Sequence, residues 1–143
     1  METIGTLAAD SGFLTFARFA VIAFFAIVFL QSGLNKLVDS EGNLAYMQEA
    51  FSQAPTLQGM MGPLFWTLTA SELTTGIFCG LGIVSLSFWS GGFLARWCIR
   101  FATLSLLALL FGQRMAKDYG GAAVITNYFA VALLGNLVFA LGR

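Results

Sequence analysis

Four long apolar segments dominate the chain, and few polar positions interrupt them. A helix crosses the hydrocarbon core of a bilayer with about 20 mainly apolar residues, and each segment is long enough. Residues 19–30 are apolar on every side, whereas a membrane β-strand would alternate in polarity over about 10 residues. The pattern predicts an all-α integral membrane four-helix bundle in a single domain, residues 1–143. The predicted spanning helices cover residues 13–36, 63–86, 91–112 and 121–141.

The long connection between the first two segments mixes acidic and apolar residues. Leu44, Met47 and Phe51 recur in it at helical spacing, which fits a short helix on the membrane surface over residues 43–54. An ordinary polar loop is the alternative. The connection near residues 88–92 is only a few residues long, so the second and third helices should be antiparallel neighbours.

Composition supports the membrane interpretation. The 143 residues are 58% hydrophobic and 10% charged, whereas soluble domains are roughly 25% charged. Seven basic and seven acidic residues are too few to cover a water-facing surface. A net charge of zero, with no basic cluster outside the apolar segments, argues against nucleic acid as a partner. No A-x-A-like cleavage site follows the first segment, so we expect it to stay as a helix.

Basic residues give a slight preference for orientation. Four crossings place both termini on one side, and the positive-inside rule assigns the more basic side to the cytoplasm. The termini are therefore predicted to be cytoplasmic. The basic residues on that side are Arg18, Arg96, Arg100 and Arg143, against Lys36, Arg114 and Lys117 on the other.

One carboxylate, Glu72, interrupts the second segment, and residues 63–88 carry no other charge. A charged side chain at such depth is costly, so it calls for a partner and points to a function. Gly76 and Gly80 follow at i+4 and i+8 on the same helix face, and small residues let another helix approach closely. These glycines could also be no more than residues common in membrane helices. We expect Glu72 to face protein and both glycines to pack against a neighbouring helix.

Every other predicted helix offers a polar group near the depth of Glu72, in the outer half of the bundle. Lys36 and Arg114 have side chains long enough to reach several ångströms toward the carboxylate, although the sequence does not decide which of them arrives. We predict an intramembrane polar cluster in the outer half of the bundle, and a carboxylate at this depth is a candidate proton site. The candidates besides Glu72 are Gln31, Asn35, Lys36, Gln113, Arg114 and Asn127.

Arg18, Arg96 and Arg100 form a second, inner basic group. Arg18 and Lys36 are 18 positions apart, which is about five helical turns, so one stripe of the first helix should join the two polar levels and face the bundle. For Arg96 and Arg100 we favour snorkelling to anionic lipid headgroups over binding of a negatively charged ligand or partner. The stripe between Arg18 and Lys36 consists of Ile22, Phe25, Phe29 and Ser32.

The fourth helix carries two asparagines, Asn127 and Asn136, nine positions apart and thus on opposite faces. They cannot both point into one four-helix core. We therefore expect a protein partner on the back of this helix.

The chain has no histidine, which excludes His-ligated haem or chlorophyll and histidine acid–base catalysis within it, although another subunit could supply them. Cys79 and Cys98 form no C-x-x-C motif, and buried, inert thiols are favoured over a disulfide or redox pair. Nucleotide-binding, hydrolase and metalloprotease motifs are absent. We expect no metal site. Pigments or lipids are candidate ligands if the chain joins a photosynthetic complex.

The order of these groups resembles the DoxX family of small four-helix bacterial membrane proteins, over residues 13–112. The family pattern has an arginine early in the first helix, a Gly-x-x-Lys at its end, and a glutamate followed by glycines in the second helix. The positions that carry over are Arg18, Gly33, Lys36, Glu72 and Gly76. The resemblance is carried by Arg18, by the run Phe29-Leu30-Gln31-Ser32-Gly33-Leu34-Asn35-Lys36-Leu37 and by the run Glu72-xxx-Gly76-xxx-Gly80-Leu81-Gly82.

The resemblance implies a protein of the bacterial cytoplasmic membrane. Its relatives would include the membrane subunit of thiosulfate:quinone oxidoreductase and proteins described as membrane-associated redox-complex components. The tail from Arg114 matches no motif of the family, so the resemblance alone does not assign a family activity to this chain.

Three functions fit these observations. We favour a non-catalytic accessory subunit of a larger membrane electron-transfer complex, respiratory or photosynthetic, with other membrane subunits and lipids as partners. The second is quinone-linked oxidoreduction, in which Glu72 with Lys36 or Arg114 binds or protonates a quinone headgroup. The third is a small transporter or proton path built on the same carboxylate. An enzyme that acts alone is not expected.

Overall fold

The computed structural model describes residues 11–88 and 92–141, which form six α-helices and a short 3₁₀ turn and contain no strand. Four of the helices are long and apolar enough to span a membrane. The predicted fold is confirmed, and each predicted boundary of the four spanning helices lies within three residues of the observed one. Arg143, which entered the predicted orientation, lies outside the described residues. The helices are α1 (Ser11–Val38), α2 (Ser40–Ala50), α3 (Pro55–Gln58), α4 (Met61–Phe88), α5 (Phe93–Met115) and α6 (Tyr119–Leu141), with the 3₁₀ turn at Phe51–Gln53 between α2 and α3.

The four spanning helices pack as a closed ring, in which α1 contacts α4, α4 contacts α5, α5 contacts α6, and α6 returns to α1. The most extensive of these contacts joins α1 and α4. Ile22, Phe25 and Phe29 of α1 are almost completely buried in the centre. The predicted stripe of α1 therefore faces the bundle interior.

The connection between α1 and α4 contains the helix α2, not only a polar loop. Asp39 caps it, because its carboxylate accepts a hydrogen bond of 3.0 Å from the backbone N–H of Gly42. Leu44 and Met47 are half-buried and pack on a small apolar cluster, while the opposite side of α2 is exposed. This cluster closes the end of the bundle at which α5 passes into α6. It consists of Phe51, Ala54, Met61 and Ala116.

The expectation of separate, inert cysteines is wrong, since Cys79 of α4 and Cys98 of α5 form a disulfide with their Cα atoms 4.9 Å apart. Both residues are completely buried. Near them, a Cβ added to Gly82 would lie 3.0 Å from Cα of Ala95, so α4 and α5 approach closely enough for two short side chains to bond. The chain lacks a local motif for the pair because the two cysteines belong to different helices.

The disulfide predicts a simple labelling result. Wild-type protein denatured in detergent without reductant should take up no thiol-reactive maleimide, and the same sample after reduction should take up two equivalents, measured by intact mass. The Cys79→Ala/Cys98→Ala variant should be less stable by about 3 kcal/mol, the loss expected when a loop of this length is no longer closed. Labelling of the unreduced, denatured wild type at two sites would refute the cross-link.

Candidate functional site

Glu72 lies on the face of α4 that is turned toward the bundle interior, and only 2% of its surface is exposed. Lys36 of α1 reaches it, with Nζ donating a hydrogen bond of 2.7 Å to Oε2 of Glu72. The same Nζ donates to Oγ of Ser32 at 2.8 Å. The contact between Lys36 and Glu72 is the only salt bridge within residues 11–88 and 92–141. The partner of the buried carboxylate is thus Lys36.

Close approach of the two helix backbones makes this ion pair possible. A Cβ added to Gly33 of α1 would lie 2.7 Å from Cδ2 of Leu73, and one added to Gly76 of α4 would lie 2.9 Å from the backbone N of Leu30. Neither position has room for a side chain. Since these glycines lie about one turn from Lys36 and Glu72 along their helices, they set the separation that the ion pair spans.

The expected packing at Gly80 needs correction. A Cβ added there would meet no heavy atom of the described chain within 4 Å, whereas Gly82 packs tightly on Ala95 of α5. Eight residues correspond to about 2.2 helical turns, so Gly80 is rotated by about 80° from Glu72 and turns away from the α1 interface. Gly76, rotated by only about 40°, stays on it.

A cavity of about 340 Å³ adjoins the ion pair and is lined by all four spanning helices. Its polar side includes both members of the pair, and its apolar side comes from aliphatic and aromatic residues. The other polar lining residues are Gln31, Ser32, Gln113 and Tyr128, and the apolar ones are Val28, Phe29, Leu106, Leu109 and Ile125.

Several hydrogen-bonding groups of this cavity are not used within the described residues. A lysine ammonium has three N–H donors, and Lys36 uses two of them, for Glu72 and Ser32. Oε1 of Glu72 accepts no hydrogen bond from the described chain. Oε1 of Gln113 is buried without a hydrogen-bonding partner there. The cavity can therefore present one cationic donor, the third N–H of Lys36, and one acceptor, Oε1 of Glu72, to a small ligand. By contrast, Oε1 of Gln113 lies against Gly121 and has no surface in the cavity.

Three of the candidates for the polar cluster lie elsewhere. Arg114 is exposed, with its guanidinium 4.8 Å from the centre of the Tyr119 ring, and Asn35 and Asn127 are also exposed and do not line the cavity. Successive residues of a helix point about 100° apart. Gln113 therefore faces the cavity while its neighbour Arg114 faces outward.

Sequence reasoning missed a set of hydroxyl groups that join α4 to α5 beside Glu72. The Oγ atoms of Ser71 and Ser105 are 2.8 Å apart, and Oγ1 of Thr75 is 3.2 Å from Oγ of Ser105. Ser71 and Thr75 are at i and i+4 on the helix that carries Glu72. That spacing was a usable signal for an interhelical hydrogen-bonding face.

The inner arginines and Asn136 form a different site from the cavity at Glu72. The guanidinium of Arg18 lies 5.4 Å from the centre of the Phe139 ring, and that of Arg100 lies 5.2 Å from the centre of the Trp97 ring. Asn136 faces α5, where Nδ2 donates to Oγ1 of Thr103 at 3.0 Å. Since Asn127 is exposed, only one asparagine of α6 points into the bundle, as their spacing predicts.

Comparisons with known proteins add no assignment. No protein-family model, no curated protein and no solved structure matches the chain. The function has to be argued from the geometry of the two polar sites.

The contrast between Gly76 and Gly80 gives a matched pair of variants. Gly76→Ala should destabilise the bundle by about 1–3 kcal/mol, the usual effect of overpacking a tight contact, because its Cβ would push α1 away from α4. Gly80→Ala has free space and should be neutral or slightly stabilising. Unfolding of purified protein by titration with a denaturing detergent measures both. Equal effects of the two substitutions would contradict the assigned interface.

Proposed function

We propose that this chain is a small DoxX-like membrane subunit that binds the headgroup of a quinone for a larger electron-transfer assembly. The observation that carries the proposal is the cavity beside Lys36 and Glu72, which combines a buried ion pair with an apolar wall. Ligand sites in proteins typically have this character, mostly apolar with a few placed polar groups.

The unused hydrogen-bonding groups match the two redox forms of a quinone. A quinone carbonyl accepts hydrogen bonds, and the third N–H of Lys36 can donate one. A quinol hydroxyl donates, and Oε1 of Glu72 can accept. Val28, Leu109 and Ile125, which line the cavity and are half-buried, provide apolar surface for the ring. The cavity therefore suits both forms without rearrangement of the ion pair.

The electrons must come from another subunit. Reduction of a quinone to a quinol takes up two electrons and two protons, and the cavity residues contain no group that can supply the electrons. The disulfide of Cys79 and Cys98 is completely buried and does not line the cavity. The proposed task of this chain is binding, with Glu72 as the group that can pass protons.

Removal of the ion pair should weaken quinone binding. The Lys36→Met/Glu72→Gln variant leaves no unpaired buried charge and so avoids the loss of about 3–5 kcal/mol that follows when one partner of a buried pair is removed. Loss of a hydrogen bond to a charged group, about 1.5–3 kcal/mol, predicts roughly 10- to 100-fold weaker binding. Titration of purified protein in detergent with short-tailed benzoquinone and naphthoquinone measures the dissociation constant.

Two further variants accompany this test. Arg114→Met removes an exposed cation from the same end of the bundle and should leave binding unchanged. Gln113→Leu removes a buried oxygen without a partner in the described residues, so it should keep or raise the melting temperature. Equal quinone affinity in wild type and in Lys36→Met/Glu72→Gln would exclude the proposed site.

A purely structural accessory role is the second candidate, and Asn127 favours it. This amide is exposed on α6, about 12 Å from the start of that helix, where an unpaired polar group in lipid is costly. Only 17% of the apolar 18-residue stretch of α6 is buried within the bundle, compared with 28–33% of the corresponding stretches of the other spanning helices. An amide on such a face suits a hydrogen bond to a transmembrane helix of another subunit.

The effect of Asn127 on assembly can be measured against Asn136. Asn127→Leu should leave the melting temperature of the isolated bundle unchanged and reduce the fraction of the chain recovered in a larger complex after mild detergent extraction. Asn136→Leu should lower the melting temperature, because it removes the contact with Thr103. Native mass measurement of both extracts gives the fraction of chain in the larger complex. A wild-type chain that is monomeric and fully functional would rule out the accessory role.

A further inference from the structure

Within residues 11–88 and 92–141, the end of the bundle that holds Arg18, Arg96 and Arg100 carries basic residues without acidic counterparts. Arg18, Arg96 and Arg100 form no salt bridge with a carboxylate in the described part of the chain. Glu72 is paired with Lys36, and the other acidic residues of that part lie toward the opposite end. Those residues are Asp39, Glu41, Glu49 and Asp118.

Two of these arginines have buried donors without a protein acceptor. Within the described residues, Nε and Nη2 of Arg18 and Nε of Arg96 are buried and make no hydrogen bond. An arginine keeps its charge under all ordinary conditions, so loss of a proton cannot remove the free-energy cost of a desolvated donor. Such a donor requires an acceptor. A snorkelling arginine would instead extend its donors to the water or headgroup region.

A cavity of about 200 Å³ lies between α5 and α6 at this level, and Arg96 and Arg100 line it one turn apart. Asn136 lines it too, and its Nδ2 already donates to Oγ1 of Thr103 and to the backbone oxygen of Ala132. Asn136 can therefore offer its carbonyl oxygen to a ligand. The Phe139 ring, which Arg18 covers, forms another wall.

We propose that this cavity binds a phosphate group, either the phosphodiester of a phospholipid headgroup or free phosphate. The planar guanidinium fork matches the oxygens of a phosphate, and two forks one turn apart can surround it. The carbonyl oxygen of Asn136 then accepts from a hydroxyl or ammonium group of the headgroup. This site is separate from the proposed quinone cavity and does not depend on it.

The depth of the arginines suits a lipid phosphate. The 23 residues of α5 span about 35 Å, slightly more than the hydrocarbon core of about 30 Å. Arg96, three residues after the start of α5, therefore lies about 4–5 Å inside that end, near the boundary between headgroups and hydrocarbon. A phosphate of the adjacent leaflet lies within reach of both arginines on α5.

Binding of defined ligands to the purified full-length chain tests this site. Native mass spectrometry in detergent would compare a phosphatidylglycerol, a phosphatidylethanolamine, inorganic phosphate and a diacylglycerol without phosphate. We expect both phospholipids to bind and the diacylglycerol not to bind. Displacement of phospholipid by inorganic phosphate at low concentration would identify free phosphate as a source, and its failure would identify the lipid phosphodiester.

The variant Arg96→Gln/Arg100→Gln should bind phospholipid at least about 10-fold more weakly, since each charge-assisted hydrogen bond contributes roughly that factor. Arg114→Gln removes a basic residue from the opposite end and is the matched control, with binding unchanged. If the double variant does not fold, the comparison of ligands on wild-type protein still tests whether the chain binds a phosphate group. Binding of the diacylglycerol as tightly as the phospholipids, or binding of an acidic peptide in place of any phosphate compound, would overturn the proposal.

Discussion

The carboxylate of Glu72 imposes the constraint on which the rest of the structure depends. A charge with 2% exposure inside a spanning helix needs a partner, and the partner comes from another helix. Lys36 can reach it only because α1 and α4 approach at Gly33 and Gly76, where a Cβ would collide with the opposite helix. The ion pair, the two glycines and the buried stripe of α1 therefore belong to one interface. A change in any of them alters the distance between the same two backbones.

α4 is held on both sides, whereas α6 is less enclosed. On one side lies the ion pair with α1, and on the other the disulfide and the tight contact of Gly82 with Ala95. α6 buries a smaller share of its apolar 18-residue stretch than the other spanning helices do. It also contributes Ile125 and Tyr128 to the wall of the cavity beside the ion pair. The least enclosed helix thus borders the cavity beside the ion pair and also carries the exposed Asn127. A partner subunit on α6 would lie next to the quinone proposed for that cavity, as electron transfer requires.

The hydrophobic pattern was sufficient to predict the four spanning helices, because long apolar runs are local properties of the sequence. For the segment that forms α2, the same pattern left a helix and a polar loop open. It was also sufficient to turn Glu72 inward, since Gly76 lies at i+4. It could not choose between Lys36 and Arg114, because that choice depends on the rotation of α5, where Gln113 faces the cavity and Arg114 does not. The disulfide required knowledge of which faces of α4 and α5 meet, and neither cysteine has a local motif that reports it.

The distance between the two polar levels locates the ion pair relative to the membrane. Arg18 and Lys36 are 18 residues apart on α1, or about 27 Å along its axis, close to the hydrocarbon thickness of about 30 Å. If Arg18 lies at one boundary of that layer, Lys36 lies near the other. Glu72 then lies near the same boundary as Lys36, although it is about 16 Å along α4 from Met61. The first turns of α4 would extend beyond the hydrocarbon together with the apolar cluster around Phe51. A headgroup in the cavity would be near enough to water for proton exchange while its tail stays in lipid.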